Sequence, residues 1–195
     1  MTRLTLAIAL VVAHTALGLA QDRDDRDVYE SSLRELHRGA MPTVLVIDAT
    51  PAPLLPPSTD PTAFLESDWE TLGPEAASLR PAAEATQQMP ITPFEPESFP
   101  DAARLVQGED ITEFFRTTPR GPDPYHIWRL FRERFGTGSY YRLSRPAVTD
   151  DGRQALLAYA YMCGAVCGEG GYMWLRRASP TEPWAVVRKV VKFVG

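Results

Sequence analysis

The sequence predicts an α+β fold, with a C-terminal antiparallel β-meander of about four strands and helices packed on one face of that sheet. Residues 154–163 are apolar at both odd and even positions, which is typical of a strand covered on both faces at the centre of a sheet. Two further apolar, aromatic-rich segments follow at residues 171–177 and 184–194. Residues 140–148 predict a partner strand, and the Asp-Gly pair at 151–152 marks the turn before the central strand.

A helix is predicted immediately before this sheet, over residues 124–135. Ile127, Phe131 and Phe135 lie four residues apart and form one apolar stripe along it, while charged residues occupy its other sides. Gly136 is the expected end of the helix, because glycine readily adopts the left-handed conformation that follows a helix. We expect the apolar stripe to pack on the sheet.

The N-terminal half is less regular. Residues 22–39 predict a helix that ends at Gly39, and the β-branched run at residues 42–48 predicts a short strand. This helix–strand unit would either dock on the C-terminal sheet or begin a small subdomain. We divide the chain into an N-terminal targeting segment at 1–20, a helix–strand and proline-rich part at 21–100, and an α+β core at 101–195.

Proline is concentrated between residues 49 and 124, which hold 14 of the 18 prolines. Because proline interrupts helices and sheets, only short elements are expected there. Residues 89–100 are predicted to form a loop that crosses the surface. The short elements predicted are helices at 60–69 and 74–88, a strand at 102–106 and a helical turn at 111–115.

The charge balance argues against a nucleic-acid partner. The chain carries 20 basic and 25 acidic residues, for a formal net charge of −5. Contacts with phosphate groups need a basic surface, which this composition does not favour. The apolar content of 44% is sufficient for a packed core.

Residues 1–20 have the pattern of a secretory signal peptide. Arg3 supplies a positive charge, residues 4–17 form an apolar run, and residues 18–20 place small side chains before a cut at Gln21. The run is short for a membrane span, which needs about 20 residues. We therefore expect an exported protein with no membrane span after cleavage and a periplasmic or extracellular location.

Cys163 and Cys167 are the two cysteines of the chain. If the three residues between them form a hairpin loop, the cysteines lie opposite each other with Cα atoms about 4.5–5.5 Å apart, within the range of a disulfide. A disulfide is the interpretation that best fits an exported protein. A redox centre, a metal site and free thiols are the alternatives. Zinc would need two more ligands, and the mature chain offers His37 and His126 as nitrogen donors.

Several short motifs in the C-terminal part resemble those of a family of exported bacterial proteins. The family tail has the form LSR…QAL…CGxxCGxG…WxV, and the similarity covers roughly residues 110–195. The resemblance implies export and paired cysteines, and it implies no reaction. Pro146 after Ser-Arg departs from the family pattern. The matching motifs are Trp128-x2-Phe131, Leu143-Ser-Arg-Pro-Ala, Gln154-Ala-Leu-Leu, Cys163-Gly-x2-Cys167-Gly-x-Gly170 and Trp184-x-Val.

Four residues are candidates for ligand binding. Glu169 lies between glycines beside the cysteine loop, where a bare backbone would let a ligand approach closely. Arg145 carries its charge on an otherwise apolar side of the predicted strand. His126 lies near the polar start of the predicted helix, and Tyr172 belongs to a dense aromatic set that would either fill the core or line a cleft. For all four, an ordinary surface or core role is the simpler interpretation.

No motif of an established chemistry is present, and no serine has the Gly-x-Ser-x-Gly surroundings of a hydrolase nucleophile. We therefore assign no catalytic residue, cofactor or metal. The preferred hypothesis is a non-catalytic exported domain that binds an envelope partner or a small ligand. The alternatives are an envelope hydrolase, with its site where the proline-rich segment crosses the sheet, and a thiol–disulfide protein.

Overall fold

The computed structural model describes residues 25–39, 41–55, 66–119, 121, 123, 125–164 and 167–195. These residues form five α-helices and one mixed sheet of seven strands. The helices are α1 (25–36), α2 (Glu66–Leu72), α3 (Arg80–Gln87), α4 (Gly108–Thr117) and α5 (His126–Phe135). The strands are β1 (Leu45–Asp48), β2 (Ala103–Val106), β3 (Tyr140–Leu143), β4 (Ala147–Val148), β5 (Gln154–Gly164), β6 (Cys167–Arg176) and β7 (Ala185–Val194).

The predicted antiparallel meander is confirmed, and β5 lies at the centre of the sheet. β5 pairs antiparallel with β3 and β4 on one side and with β6 on the other, and β7 pairs antiparallel with β6. The sheet also continues beyond β3, because β1 lies between β3 and β2 and is parallel to both. The strand order is β2-β1-β3-β5-β6-β7, with β4 beside β5.

The N-terminal helix–strand unit docks on the C-terminal sheet, which was one of the two predicted alternatives. Val28, Tyr29 and Leu33 of α1 are fully buried against a face of the sheet that we call the back face. This face carries Leu143 and Leu157 from the central strands. The residues from the two halves of the chain therefore share one hydrophobic core.

The other four helices pack on the opposite face, which we call the front face, so the prediction of helices on one face holds for these four and not for α1. They form two groups. The α2–α3 group, joined by a 3-10 helix (Pro74–Leu79), packs on β5, β6 and β7 through buried residues such as Leu72 and Ala83. The α4–α5 group packs on β1 and β2 through Phe114, Phe131 and Phe135.

An ion pair fixes α2 to the edge strand β7. The Nζ of Lys192 donates to both carboxylate oxygens of Asp68, at 2.9 and 2.7 Å. The Lys192 side chain is 15% exposed and that of Asp68 is 8% exposed. Such a pair must keep both partners, since either charge alone would be poorly solvated.

Residues 89–100 are an irregular segment with one short 3-10 helix (Pro96–Ser98), but they do not simply cross the surface as predicted. Ile91 is 72% exposed, whereas Phe94 and Phe99 are buried in the core beneath α1. The ring of Phe99 stacks on Tyr29 at 4.4 Å between centroids. The prediction was wrong for these two phenylalanines, because the absence of periodicity shows irregular backbone and says nothing about which side chains turn inward.

Most helix predictions agree with the structure, with shifted ends. Gly136 ends α5 in the left-handed conformation, at φ 85°, as predicted. The turn expected at residues 111–115 is the ten-residue helix α4. The predicted helix at 60–69 overlaps α2, but residues 56–65 lie outside the described part, as does the predicted signal peptide at 1–20. Among the described residues, no helix is long and apolar enough to cross a membrane.

The cysteine hairpin has a different register from the predicted one. Gly164 pairs with Cys167, and Cys163 lies in a β-bulge between Met162 and Gly164. The two cysteines therefore do not face each other directly across the ladder. Their Cα atoms are nevertheless 5.0 Å apart and their sulfur atoms are at disulfide distance, as predicted. The connecting residues 165 and 166 lie outside the described part.

Candidate functional site

A cleft opens on the front face of the sheet. Its volume is about 350 Å³. We call it the front cleft. The described residues that line it come from the segment after β1 and from β3, β5, β6 and β7: Ala52, Pro53, Tyr140, Arg142, Ala158, Tyr159, Ala160, Met162, Tyr172 and Phe193.

Small side chains in the central strand form the floor of the front cleft. Leu156, Ala158 and Ala160 occupy every second position of β5, so their side chains all lie on the front face. Leu156 is fully buried under the α2–α3 group. Ala158 and Ala160 end at Cβ and leave space above the sheet. From the sequence, these alanines are predicted only to belong to an apolar strand. Alanine is also common in tightly packed cores, so it does not by itself indicate a cleft.

Two aromatic side chains form opposite parts of the wall. Tyr140 on β3 packs against Trp128 and Phe131 of α5, with ring centroids 6.3 and 5.8 Å away. Burial raises the pKa of Tyr140, so its phenol is neutral at physiological pH. Phe193 on β7 lies directly over Gly170 of β6, where an added Cβ would be 2.1 Å from the ring. Glycine at this position is therefore what allows the ring to reach the cleft.

Arg142 is the cation among the described residues that line the cleft. Its Nε lies 3.6 Å from Oδ2 of Asp48, and its side chain is 52% exposed. Asp48 is the only ionic partner of Arg142 within the described residues. The guanidinium has five N–H donors, so most of its hydrogen-bonding capacity is not used by this carboxylate.

Asp48 is held in place from three sides. Its Oδ1 accepts a 2.9 Å hydrogen bond from the backbone N–H of Thr50. Its carboxylate lies against Gly108, the first residue of α4, where an added Cβ would be 2.7 Å from Oδ1. Burial raises the pKa of Asp48, and the Thr50 hydrogen bond and the charge of Arg142 oppose that rise. The positive end of α4 also favours the ionised form.

The four predicted candidates do not share one site. Tyr172 lines the front cleft and is 1% exposed. Glu169 is on the same strand, but three residues away, so its side chain lies on the back face. Arg145 and His126 do not line the front cleft. The structure thus places one of the four at the cleft.

Glu169 belongs to a polar cluster on the back face. Its Oε1 accepts hydrogen bonds from the hydroxyl of Tyr159 at 2.7 Å and from Nζ of Lys189 at 2.9 Å. Burial raises the pKa of Glu169, but these two hydrogen bonds and the lysine charge outweigh it and hold the pKa below its ordinary value. The glycine that follows Glu169 makes room for Phe193, a structural use that the sequence analysis did not foresee.

Arg145 and His126 have contacts that hold local structure. Arg145 lies between β3 and β4, so the strand predicted over residues 140–148 is interrupted there. Its Nη2 donates to the carbonyl and hydroxyl of Thr92, and its guanidinium lies 5.7 Å from the ring centre of Phe94. His126 begins α5, with Nδ1 3.2 Å from Nη2 of Arg129.

Arg142 and Asp48 were missed as site residues. Arg145, rather than Arg142, is the arginine that the sequence singles out, and Asp48 is only the last residue of a predicted short strand. Their contact depends on β1 lying parallel to β3, with Ile47 paired to Tyr141. Nothing local in the sequence signals that pairing, since 94 positions separate the two residues.

Among the described residues, no group of three or more histidine, cysteine, aspartate or glutamate side chains is placed to hold a metal ion. Comparisons with protein-family models, with curated proteins and with solved structures found no match to this chain. The resemblance of residues 110–195 to a family of exported proteins therefore stays a prediction.

Proposed function

We propose that this protein is an exported, non-catalytic binding domain whose front cleft takes up a small, largely apolar ligand. The observation that carries this proposal is the floor of Ala158 and Ala160, which leaves a depression over the centre of an otherwise covered sheet. Small-molecule sites are typically concave, mostly apolar and about 300–1,000 Å³ in volume. At about 350 Å³, the front cleft fits a ligand of modest size.

The lining of the cleft favours binding over catalysis. Its described side chains include no carboxylate, imidazole, thiol or aliphatic hydroxyl. Hydrolysis by a side chain needs a nucleophile and a base in contact, which this set does not supply. Asp48 lies behind Arg142 and is 7% exposed, so it is poorly placed to reach a bound ligand.

Export is supported by two features. Residues 1–20 have the charge, length and small-residue pattern of a signal peptide. Cys163 and Cys167 lie at disulfide distance, and such pairs persist in oxidising compartments. Intact-mass analysis of protein recovered from the cell envelope should show a chain that begins at Gln21. Recovery from the cytoplasm with Met1 retained would refute export.

Ligand uptake is tested with N-phenyl-1-naphthylamine, an uncharged dye whose fluorescence rises in apolar sites. We expect saturable binding to the purified protein. Ala160→Phe fills the depression and should abolish binding. Ala185→Phe makes the same change at an exposed position of β7 and is the matched control. Circular dichroism melts of both variants report whether the fold is kept. Unchanged dye binding by a folded Ala160→Phe variant would refute the cleft as the site.

A further inference from the structure

We propose that the ligand of the front cleft carries an anionic group, which Arg142 receives in an orientation set by Asp48. This inference rests on the proposed function and adds the chemical class of the ligand. The class comprises small molecules with a carboxylate, sulfonate or phosphate group attached to an apolar body.

The first support is the position of Arg142 at the edge of an apolar surface. Its side chain leaves β3 on the front face, as do those of Tyr140 on the same strand and Ala160 on the paired position of β5. Arg142 is paired directly with Ala160 across the ladder. If the apolar body of a ligand lay over Ala158 and Ala160, one end of the ligand would therefore lie beside the guanidinium of Arg142.

The second support is the unused capacity of the guanidinium. At 3.6 Å, the contact from Nε to Asp48 is longer than a hydrogen bond. Within the described residues, Arg142 makes no other ion pair or side-chain hydrogen bond. Arginine matches carboxylate, sulfonate and phosphate groups well, because its planar N–H donors can bind two oxygen atoms at once.

The third support is that the ion pair with Asp48 leaves Arg142 accessible to a ligand. The carboxylate is almost buried, whereas Arg142 is half-exposed. The negative charge of Asp48 also faces Gly108, the first residue of α4, and the positive end of that helix. The side chain of Asp48 is fixed by the Thr50 N–H and by the close packing of Gly108, so its charge attracts the guanidinium from a fixed position beside Nε. Asp48 is thus a positioning residue for Arg142.

The test compares two dyes with the same aromatic frame. The first, 8-anilino-1-naphthalenesulfonate, carries an anionic sulfonate group, and the second, N-phenyl-1-naphthylamine, lacks it. We expect the wild-type protein to bind the sulfonate about tenfold more tightly, as one charge-assisted contact would provide. Arg142→Met keeps the aliphatic part of the side chain. It should remove that preference without lowering the affinity for the neutral dye.

Three further variants separate charge from structure. Arg142→Lys should keep part of the preference, because it retains the charge but not the planar donors. Arg153→Met removes an exposed arginine outside the cleft and should leave both affinities unchanged. Asp48→Asn should reduce the sulfonate preference severalfold while neutral-dye affinity is kept, which a general loss of structure would not produce.

The outcomes distinguish the inference from the function beneath it. If the neutral dye binds in the cleft but the sulfonate gains nothing, or if Arg142→Met leaves the ratio of affinities unchanged, the anionic class is wrong and the binding function stands. If neither dye binds the folded wild-type protein, or if Ala160→Phe does not affect binding, the proposed function and the inference both fail. Competition by benzoate, benzenesulfonate and phenyl phosphate then ranks the anionic groups.

Discussion

Replacing Gly171 with alanine should damage the junction of β6 and β7, because the added Cβ has no space. It would lie 1.9 Å from the backbone carbonyl oxygen of Val190, an atom that cannot rotate away. Since atoms in contact lie about 3.5 Å apart, the two strands would have to separate by roughly 1 Å or more. That movement breaks the neighbouring ladder hydrogen bonds, which are normally about 2.9 Å long.

The expected loss of stability has two contributions, lost hydrogen bonds and overpacking. Two lost ladder hydrogen bonds cost about 1 kcal/mol each, and overpacking typically costs about 1–3 kcal/mol. We therefore expect Gly171→Ala to lower the free energy of unfolding by about 3–5 kcal/mol. Urea titration followed by circular dichroism measures this loss at constant pH and salt.

The neighbouring glycine provides the contrast. An added Cβ on Gly170 would meet the ring of Phe193, a side chain that can turn aside. Gly170→Ala should therefore cost about 1 kcal/mol or less but change dye binding, since Phe193 lines the front cleft. Gly195→Ala meets nothing within 4 Å and is the silent control. A Gly171→Ala variant as stable as Gly170→Ala would refute the reasoning.

Three other predictions concern the ion pair, the irregular segment and the back-face cluster. Lys192→Met should lower the free energy of unfolding by about 3–5 kcal/mol in urea titration, because it removes one charge of a largely buried ion pair. Adding Asp68→Leu should recover much of the loss, and no recovery would contradict a charge effect. Phe99→Ala should lower the free energy of unfolding by about 3–5 kcal/mol, because Phe99 is buried. Ile91→Ala, in the same loop, should lower it by under about 0.5 kcal/mol, because Ile91 is exposed. Similar losses for the two variants would show that Phe99 is not a core residue. The pKa of Glu169 is lowered on folding, so its stabilisation is present above the ordinary carboxyl pKa and is lost as the pH falls through the lowered value. Glu169→Gln should therefore be less stable than wild type at pH 7, with the difference shrinking below about pH 4 in thermal melts.

The C-terminal half was predictable because its signals are local. The apolar pattern of β5 shows that both faces are covered, and the spacing of Phe131 and Phe135 shows which side of α5 is buried. These patterns report burial but not the partner that causes it. The parallel pairing of β1 with β3 and β2 therefore could not be predicted.

The candidate site was less predictable than the fold for the same reason. Tyr172 was selected because aromatic side chains often line clefts, and it does line one. The rest of the site depends on where two groups of helices stop covering the sheet, which is a property of tertiary packing. Arg142 could be identified as a site residue only from its pairing with Ala160, which places its charge beside a small side chain on the front face.

The ion pair between β7 and α2 has a consequence for how the molecule is made. Asp68 is translated 124 positions before Lys192, and β7 follows every other described element in chain order. Until β7 is synthesised, the ion pair between Lys192 and Asp68 cannot form, and one edge of β6 lacks its neighbouring strand. Contacts so distant along the chain close slowly, because the loop entropy must be paid first. A nascent chain that lacks β7 therefore cannot complete the contact between α2 and the sheet.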